Sequence, residues 1–189
     1  SRRGRYREVN QPFFSPDGQW IGFFADRKLT KVSVTGGSAI TLYDAPNSRG
    51  GDWGDDGSIV FAAGNREELS RVSSAGETPQ SLTTLDEEAG EVTHRWPQLL
   101  PGSQAVLFTA SSIGGQYEEA NLVVQTIPTG QRKIVLRGSY HGRYLPSGHL
   151  LYIHEHTLFA SPFDVQKLEL KGQAIPILEG VLTNPGNAS

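Results

Sequence analysis

The residues whose types and spacing could do chemistry are few. His154-Glu155-His156 sets two imidazoles at i and i+2 with a carboxylate between them. On an extended strand such imidazoles share one face, as a divalent-metal pair would require. No third ligand at metal spacing is evident, and a polar hairpin turn between Ile153 and Thr157 accounts for the same residues. The acidic run Asp86-Glu87-Glu88, with Glu91, offers the oxygens calcium takes. It lacks the glycine and spacing of an EF-hand loop and reads as a solvated loop. Asp52, Asp55 and Asp56 raise the same question. Asp56 is read as the turn residue before Gly57, and Asp52 as an acceptor for backbone amides at a strand end. Neither a metal nor a cofactor is assigned.

A second set recurs rather than clusters. Arg49, Trp53, His94, Arg95, Trp96, His141 and Arg143 fall at similar places in successive segments of the chain. Other chemistry is excluded by motif. The pairs Gly36-Gly37, Gly50-Gly51 and Gly114-Gly115 do not form a phosphate loop, and no GxGxxG or GxxxxGK[ST] is present. There is no GxSxG elbow and no kinase Gly-rich loop, HRD or DFG. No kinase, protease or esterase activity is expected. Asn187-Ala-Ser189 matches a glycosylation sequon over three residues only.

The elements that must position the recurring set are strands. Pro12 to Phe24 reads as a strand ending in Phe13-Phe14, a Ser15-Pro16-Asp17-Gly18 turn, and an aromatic strand with Trp20, Ile21, Phe23 and Phe24. Strands follow over 28–34 and 39–43. The unit restarts at Trp53-Gly-Asp-Asp-Gly57, at Trp96 to Ser103 and at Tyr144-Leu-Pro-Ser-Gly148. Its turn positions Gly18, Gly57, Ser103 and Gly148 are spaced 39, 46 and 45 apart, with Ser103 replacing the glycine. Four strands per unit at this period make propeller blades. The fold class is all-β: four consecutive four-stranded antiparallel meanders, with blades about 12–46, 47–90, 91–138 and 139–181. Second strands fall near 19–25, 58–63, 104–109 and 149–154, with Phe23, Phe61, Phe108 and Tyr152 as equivalent core positions. Fourth strands close the second and fourth units over 79–83 and 174–178. No long 3.6-residue period appears, so almost no helix is expected.

In a propeller the innermost strand of each blade lines the central channel, and its leading loop faces a mouth. The seven recurring residues then form a shared binding mouth for a protein, a peptide or a small ligand. The alternative reading packs Trp53 and Trp96 between blades and spends the polar groups on channel backbone.

The chain has 189 residues, 17 basic and 20 acidic, for a net charge of −3. That balance gives no footprint for nucleic acid. It has no cysteine, which rules out disulfides, and no methionine, which points to an excerpt or a processed product. No run is long enough for a membrane segment. Four arginines in residues 1–11 suit a solvated first strand more simply than a docking arm. Four blades cut from a larger ring leave apolar flanks, so a homo-oligomer that closes the ring is expected, or a pairing of residues 5–9 beside Ile175–Leu178.

Phe14-Ser-Pro-Asp-Gly18 with Ile21-Gly-Phe23 resembles the WD-like repeats of TolB-type propellers. The ordered set of Phe13 to Gly18, Arg49-Gly-Gly-Asp-Trp53, His94-Arg-Trp-Pro-Gln98 with Leu100-Pro-Gly102, Gly148-His-Leu-Leu-Tyr152 and Leu158 to Asp164 is similar to the C-terminal propeller of bacterial membrane-spanning serine/threonine protein kinases. That resemblance implies a ring of about six blades, of which this chain supplies four, on the extracytoplasmic side of a membrane kinase. It implies a sensor or scaffold function. A substrate-gating propeller, similar to those of prolyl oligopeptidases and tricorn-type proteases, is the alternative.

Overall fold

Apolar side chains alternating with polar ones between Asp- and Gly-bearing turns favour short antiparallel strands. The computed structural model describes residues 9–112 and 117–181, and every regular element within them is a strand. The first blade holds β1 (Asn10–Phe14), β2 (Trp20–Ala25), β3 (Lys28–Ser33) and β4 (Ile40–Asp44). The second holds β5 (Gly51–Trp53), β6 (Ser58–Phe61), β7 (Ser70–Ser73) and β8 (Gln80–Ser81). The third holds β9 (Thr93–Leu99), β10 (Ala105–Ser111), β11 (Asn121–Thr126) and β12 (Arg132–Arg137). The fourth holds β13 (Tyr140–Leu145), β14 (His149–His154), β15 (Thr157–Asp164), β16 (Glu169–Leu170) and β17 (Ile175–Leu178).

Strands pair in sequence order within each sheet; in the fourth, β17 returns to pair with β15. Neighbouring blades touch through their first strands, β1 with β5, β5 with β9, and β9 with β13. The fold is thus all-β, four antiparallel meanders arranged as propeller blades, and the second strands lie where the sequence placed them. One strand is shorter than expected. Of 79–83 only Gln80–Ser81 pairs as β8, because Pro79 has no N–H and Thr83 turns its Oγ1 to the Leu69 N–H at 2.9 Å. Residues 5–8 of the expected 5–9 pairing, the Gly114-Gly115 pair and the sequon at Asn187 fall outside the described residues, and Val9 belongs to no strand.

Every first hairpin closes the same way. Gly18, Gly57, Ser103 and Gly148 donate their N–H to the carbonyl three residues back, at 2.8–3.0 Å. All four have positive φ, +67°, +78°, +54° and +80°. Ser103 therefore holds a conformation that its side chain disfavours. Its hydroxyl is used in return, since Oγ accepts the Asp55 N–H at 2.9 Å.

The core lies between blades. Successive side chains of a second strand face opposite neighbours. Ile59 and Phe61 pack with the first blade's Phe24 and Leu29, whereas Val60 and Ala62 pack with Val106 and Phe108 of the third. Leu107 turns the other way, onto Leu150 and Tyr152 of the fourth. Phe23, Phe61, Phe108 and Tyr152 are each the fourth residue of their strand, and all are buried. Phe13 lies over Gly22, where an added Cβ would meet its ring at 2.3 Å.

Candidate binding site in the central channel

The first strands β1, β5, β9 and β13 form the inner edge of the blades. Counting back from the hairpin turns aligns them. Phe13, Asp52, Gln98 and Arg143 make one level, and Gln11, Gly50, Trp96 and His141 the level two residues earlier. All four residues of this second level have positive φ, +50°, +103°, +49° and +53°. Such a φ is strained for Gln, Trp and His. It coincides with register shifts where β1, β9 and β13 pair with their second strands. At Gly50 the glycine is also needed for space, because a Cβ there would stand 2.9 Å from the Trp96 Cα.

The bulged residues are tied from blade to blade. Gln11 Oε1 accepts the Gly50 N–H at 2.8 Å, and the Arg49 carbonyl accepts the Trp96 N–H at 2.7 Å. The Trp96 and His141 rings stack with centroids 4.9 Å apart and planes 6° from parallel. Burial first, and the charge of Arg143 second, push His141 down to about 4, so it is neutral at pH 7.

The level nearer the turns carries the links between strands. Asp52 Oδ2 accepts the Leu99 N–H at 2.7 Å. Gln98 takes both backbone groups of Tyr144, accepting its N–H at 2.7 Å and donating to its carbonyl at 3.0 Å. Arg143 stands at the same level on the fourth blade. Its Nη1 donates to the carbonyls of Trp96 at 3.0 Å and Gly142 at 3.2 Å. Among the described residues its Nε and Nη2 have no hydrogen-bond partner. Burial lowers the pKa of Arg143 against the raising effect of the Asp52 carboxylate. Burial likewise raises that of Asp52, opposed by the Leu99 N–H and by Arg143.

Two more arginines stand at the strand starts. Arg49 donates to the Ser48 carbonyl at 2.8 Å. Arg95 is buried, with Nε on Thr93 Oγ1 and Nη2 on the Asn65 carbonyl, both at 3.1 Å, and Nη1 on the Tyr117 hydroxyl. Burial lowers its pKa, and the charge of Arg49 acts the same way. The strand-start end of the channel therefore holds Arg49, Arg95 and His141, and Arg143 reaches back toward it through the Trp96 carbonyl, with much of the guanidinium capacity spent on backbone carbonyls.

Three of the seven sequence candidates lie elsewhere. Trp53 and Trp96 are buried between blades, as the alternative reading had it, Trp53 with Phe13 and Ile59 and Trp96 with Tyr117 and Tyr140. His94 does not face the channel: it is fully buried against the Phe108 ring, 4.6 Å between centroids. Its Nδ1 meets Thr83 Oγ1 at 2.8 Å and its Nε2 meets Glu91 Oε2 at 2.9 Å, and Arg132 donates to Glu91 Oε1 at 2.6 Å. The order hydroxyl, imidazole, carboxylate is that of a nucleophile triad. Here Thr83 Oγ1 also accepts the Leu69 N–H, and both Thr83 and His94 are sealed from solvent. The array is a lock between the second and third blades. Burial raises the Glu91 carboxyl, but the hydrogen bonds from His94 and Arg132 outweigh it and hold the group at about 2.

The metal candidates come apart. His154 ends β14, and Glu155-His156 is a two-residue turn with φ +43° and +61°, so the imidazoles do not share a strand face. His154 Nδ1 meets the Gly138 carbonyl at 2.6 Å. In the acidic loop, Asp86 Oδ1 accepts the Ala89 N–H at 3.0 Å while Glu91 turns inward to His94. Among the described residues no three metal-ligating side chains converge. Asp56 is the turn residue expected, accepting the Ser58 N–H at 3.0 Å. Gln98 was missed in the sequence. The signal that finds it is its place five residues before the turn position, shared with Asp52 and Arg143.

No protein-family model matches the sequence, and no curated protein matches it. Solved structures do. TolB from Acinetobacter baumannii aligns with a TM-score of 0.70 at 14% identity over 93% of this chain and 45% of its own. Regucalcin, a calcium-binding protein from Agrobacterium tumefaciens, aligns with a TM-score of 0.67 at 13% identity over 89% and 58%. A puromycin-hydrolyzing peptidase from Mycobacterium tuberculosis aligns with a TM-score of 0.65 at 17% identity over 94% and 32%. The chain spans about half the length of TolB and of regucalcin. At these identities the likeness is one of architecture: this chain has the β-propeller fold.

Proposed function

We propose that the chain is a non-catalytic β-propeller binding module whose arginine-bearing channel end takes carboxylates or carbonyls of a protein or peptide. The observation that carries this reading is Arg143, which is tethered through one nitrogen and, among the described residues, keeps two donor nitrogens for a ligand. A guanidinium held in place and partly desolvated binds carboxylates more strongly than a solvated one. The His141 ring, backed by the buried Trp96 on which it stacks, supplies an apolar surface beside it. The sequence resemblance supports a more specific assignment, the extracytoplasmic sensor domain of a bacterial membrane kinase within a ring of about six blades. No helix among the described residues is long and apolar enough to cross a membrane.

The test uses a fluorescein-labelled Asp/Glu-rich hexapeptide and its Asn/Gln counterpart in fluorescence anisotropy. The acidic peptide should bind more tightly, weaken with salt, and lose about tenfold with Arg143→Gln. Equal binding of both peptides, or no effect of the substitution, refutes the reading.

A gating propeller of a hydrolase is the second reading, favoured by the likeness to the mycobacterial peptidase. A GxSxG domain encoded next to this segment would support it; a kinase and membrane helix upstream would support the first. The outer flank bears on assembly. Leu29, Leu69 and Leu122 are fully buried by the blade that follows each, while the corresponding Leu158 is half-buried and Ile175, Ile177 and Leu178 are exposed. We propose that this flank is covered by self-association in the isolated chain. Light scattering across a concentration series should show mass above the monomer, and a strictly monomeric mass rejects it.

A further inference from the structure

The far end of the channel has a different character. A cavity of about 640 Å³ opens where the four first hairpins converge. Its rim is one repeat position seen four times, the residue two before each turn glycine or its serine: Pro16, Asp55, Pro101 and Pro146. Its wall includes Trp53, Leu99 and Tyr144. Among the described residues no lysine, arginine or histidine lines it; the Lys31 ammonium stands behind the wall, 6.0 Å from the Trp53 ring centroid. The size is that of a small-molecule or side-chain pocket.

The polar groups facing this cavity are mostly occupied. Gln98 is engaged with the Tyr144 backbone, and Ser103 Oγ accepts the Asp55 N–H. Asp55 is exposed, and one of its oxygens accepts the Gly102 N–H at 3.1 Å, leaving the rest of the carboxylate for a ligand. Burial raises the neighbouring Asp52 carboxyl, the Leu99 N–H and the Arg143 charge lower it, and the Asp55 charge adds a smaller raising effect. Three prolines fix the rim, since each has its φ set by its ring. Tyr144 is held edge-on by Phe163, with centroids 5.9 Å apart.

We propose that this cavity is a second binding site, for a cation carried on an apolar stem: an amine or guanidinium. Its charge pairs with Asp55, and its stem lies against the proline, Trp53 and Tyr144 surfaces. The Tyr144 face favours cations over neutral groups, and the Asp55 carboxylate at the rim disfavours anions. The arginine end has the opposite preference, so one channel discriminates ligands by charge at its two mouths. Two sources share this chemistry, a lysine or arginine side chain of a partner chain and a free organic amine.

The test is amide chemical-shift mapping on the full chain with two probes of near-equal size and opposite charge, phenethylamine and 3-phenylpropionate. Phenethylamine should shift Asp55, Gly102, Ser103 and Tyr144, and 3-phenylpropionate should leave them in place. Asp55→Asn keeps the acceptor for Gly102 and should weaken the amine about tenfold. An unchanged melting temperature in that variant separates lost binding from lost fold. A pentapeptide Ala-Leu-Lys-Leu-Ala with blocked ends distinguishes the sources. Tighter binding of the peptide than of phenethylamine identifies a partner side chain, and the reverse identifies a free amine. Equal shifts from both small probes, shifts confined to other residues, or an amine affinity unchanged in Asp55→Asn would overturn the proposal.

Discussion

Replacing Glu91 with Gln should cost about 3 kcal/mol of stability at pH 7, and that cost should disappear in acid. The carboxylate joins three elements. It meets His94 of the third blade's inner strand at 2.9 Å and Arg132 of its outer strand at 2.6 Å, and it accepts the Asp86 N–H at 2.9 Å. Its side chain is 8% exposed. The drop from an ordinary 4.5 to about 2, at about 1.4 kcal/mol per pH unit, gives the roughly 3 kcal/mol. The folded value lies below the unfolded one, so the stabilisation is complete above about pH 4.5 and is lost as pH falls through about 2. Urea midpoints for the native chain and Glu91→Gln, taken at intervals from pH 7 to pH 2.5, measure it. The difference should be constant from pH 7 to 5 and shrink below 4.5. A difference independent of pH across that range would show that the loss is one of shape rather than charge. A difference under 0.5 kcal/mol at pH 7 would refute the lock outright. His141 adds its own slope to both proteins. Its folded value of about 4 lies below the ordinary 6.5, so stability falls as pH drops through that interval and cancels in the comparison.

Phe108→Ala, in the core between the second and third blades, should cost about 3–5 kcal/mol by urea denaturation; less than 1 kcal/mol would contradict its packing. Gly50→Ala should cost about 1–3 kcal/mol, since its φ of +103° and the Trp96 Cα 2.9 Å away both oppose a side chain. Gln98→Leu leaves the Tyr144 N–H without its acceptor and should cost about 1–3 kcal/mol. Gln98→Glu, which keeps the acceptor, should recover part of that loss in the same assay.

The architecture was legible because the hairpin turn leaves a chemical trace in every repeat. Even Ser103, which breaks the glycine pattern, stands at the position and in the left-handed conformation that the spacing implied. What the sequence hid was the bulge in the inner strands. Period-two alternation assigns side chains to faces only while every residue is paired. The extra residue at Trp96 breaks that count. His94, two residues earlier, consequently faces the sheet interior rather than the channel. His154 and His156 follow the turn reading rather than the metal-pair one. Their spacing suits a shared strand face, but the turn begins at Glu155 and divides them. The acceptor role of Asp52 was legible, but the cross-blade hydrogen bonds that it and Gln98 make were hidden for another reason. They join residues 46 or 47 apart in the chain, and no local pattern marks them until the repeats are aligned on their turns.

A single titration tests the two-ended channel most directly. Amide shifts of the full chain would be followed as the Asp/Glu-rich hexapeptide and phenethylamine are added in turn and then together. The peptide should move Trp96, His141, Gly142 and Arg143, the amine should move Asp55, Gly102, Ser103 and Tyr144, and both sets should move when both ligands are present. Both ligands moving the same residues, or each moving the set assigned to the other, would contradict it.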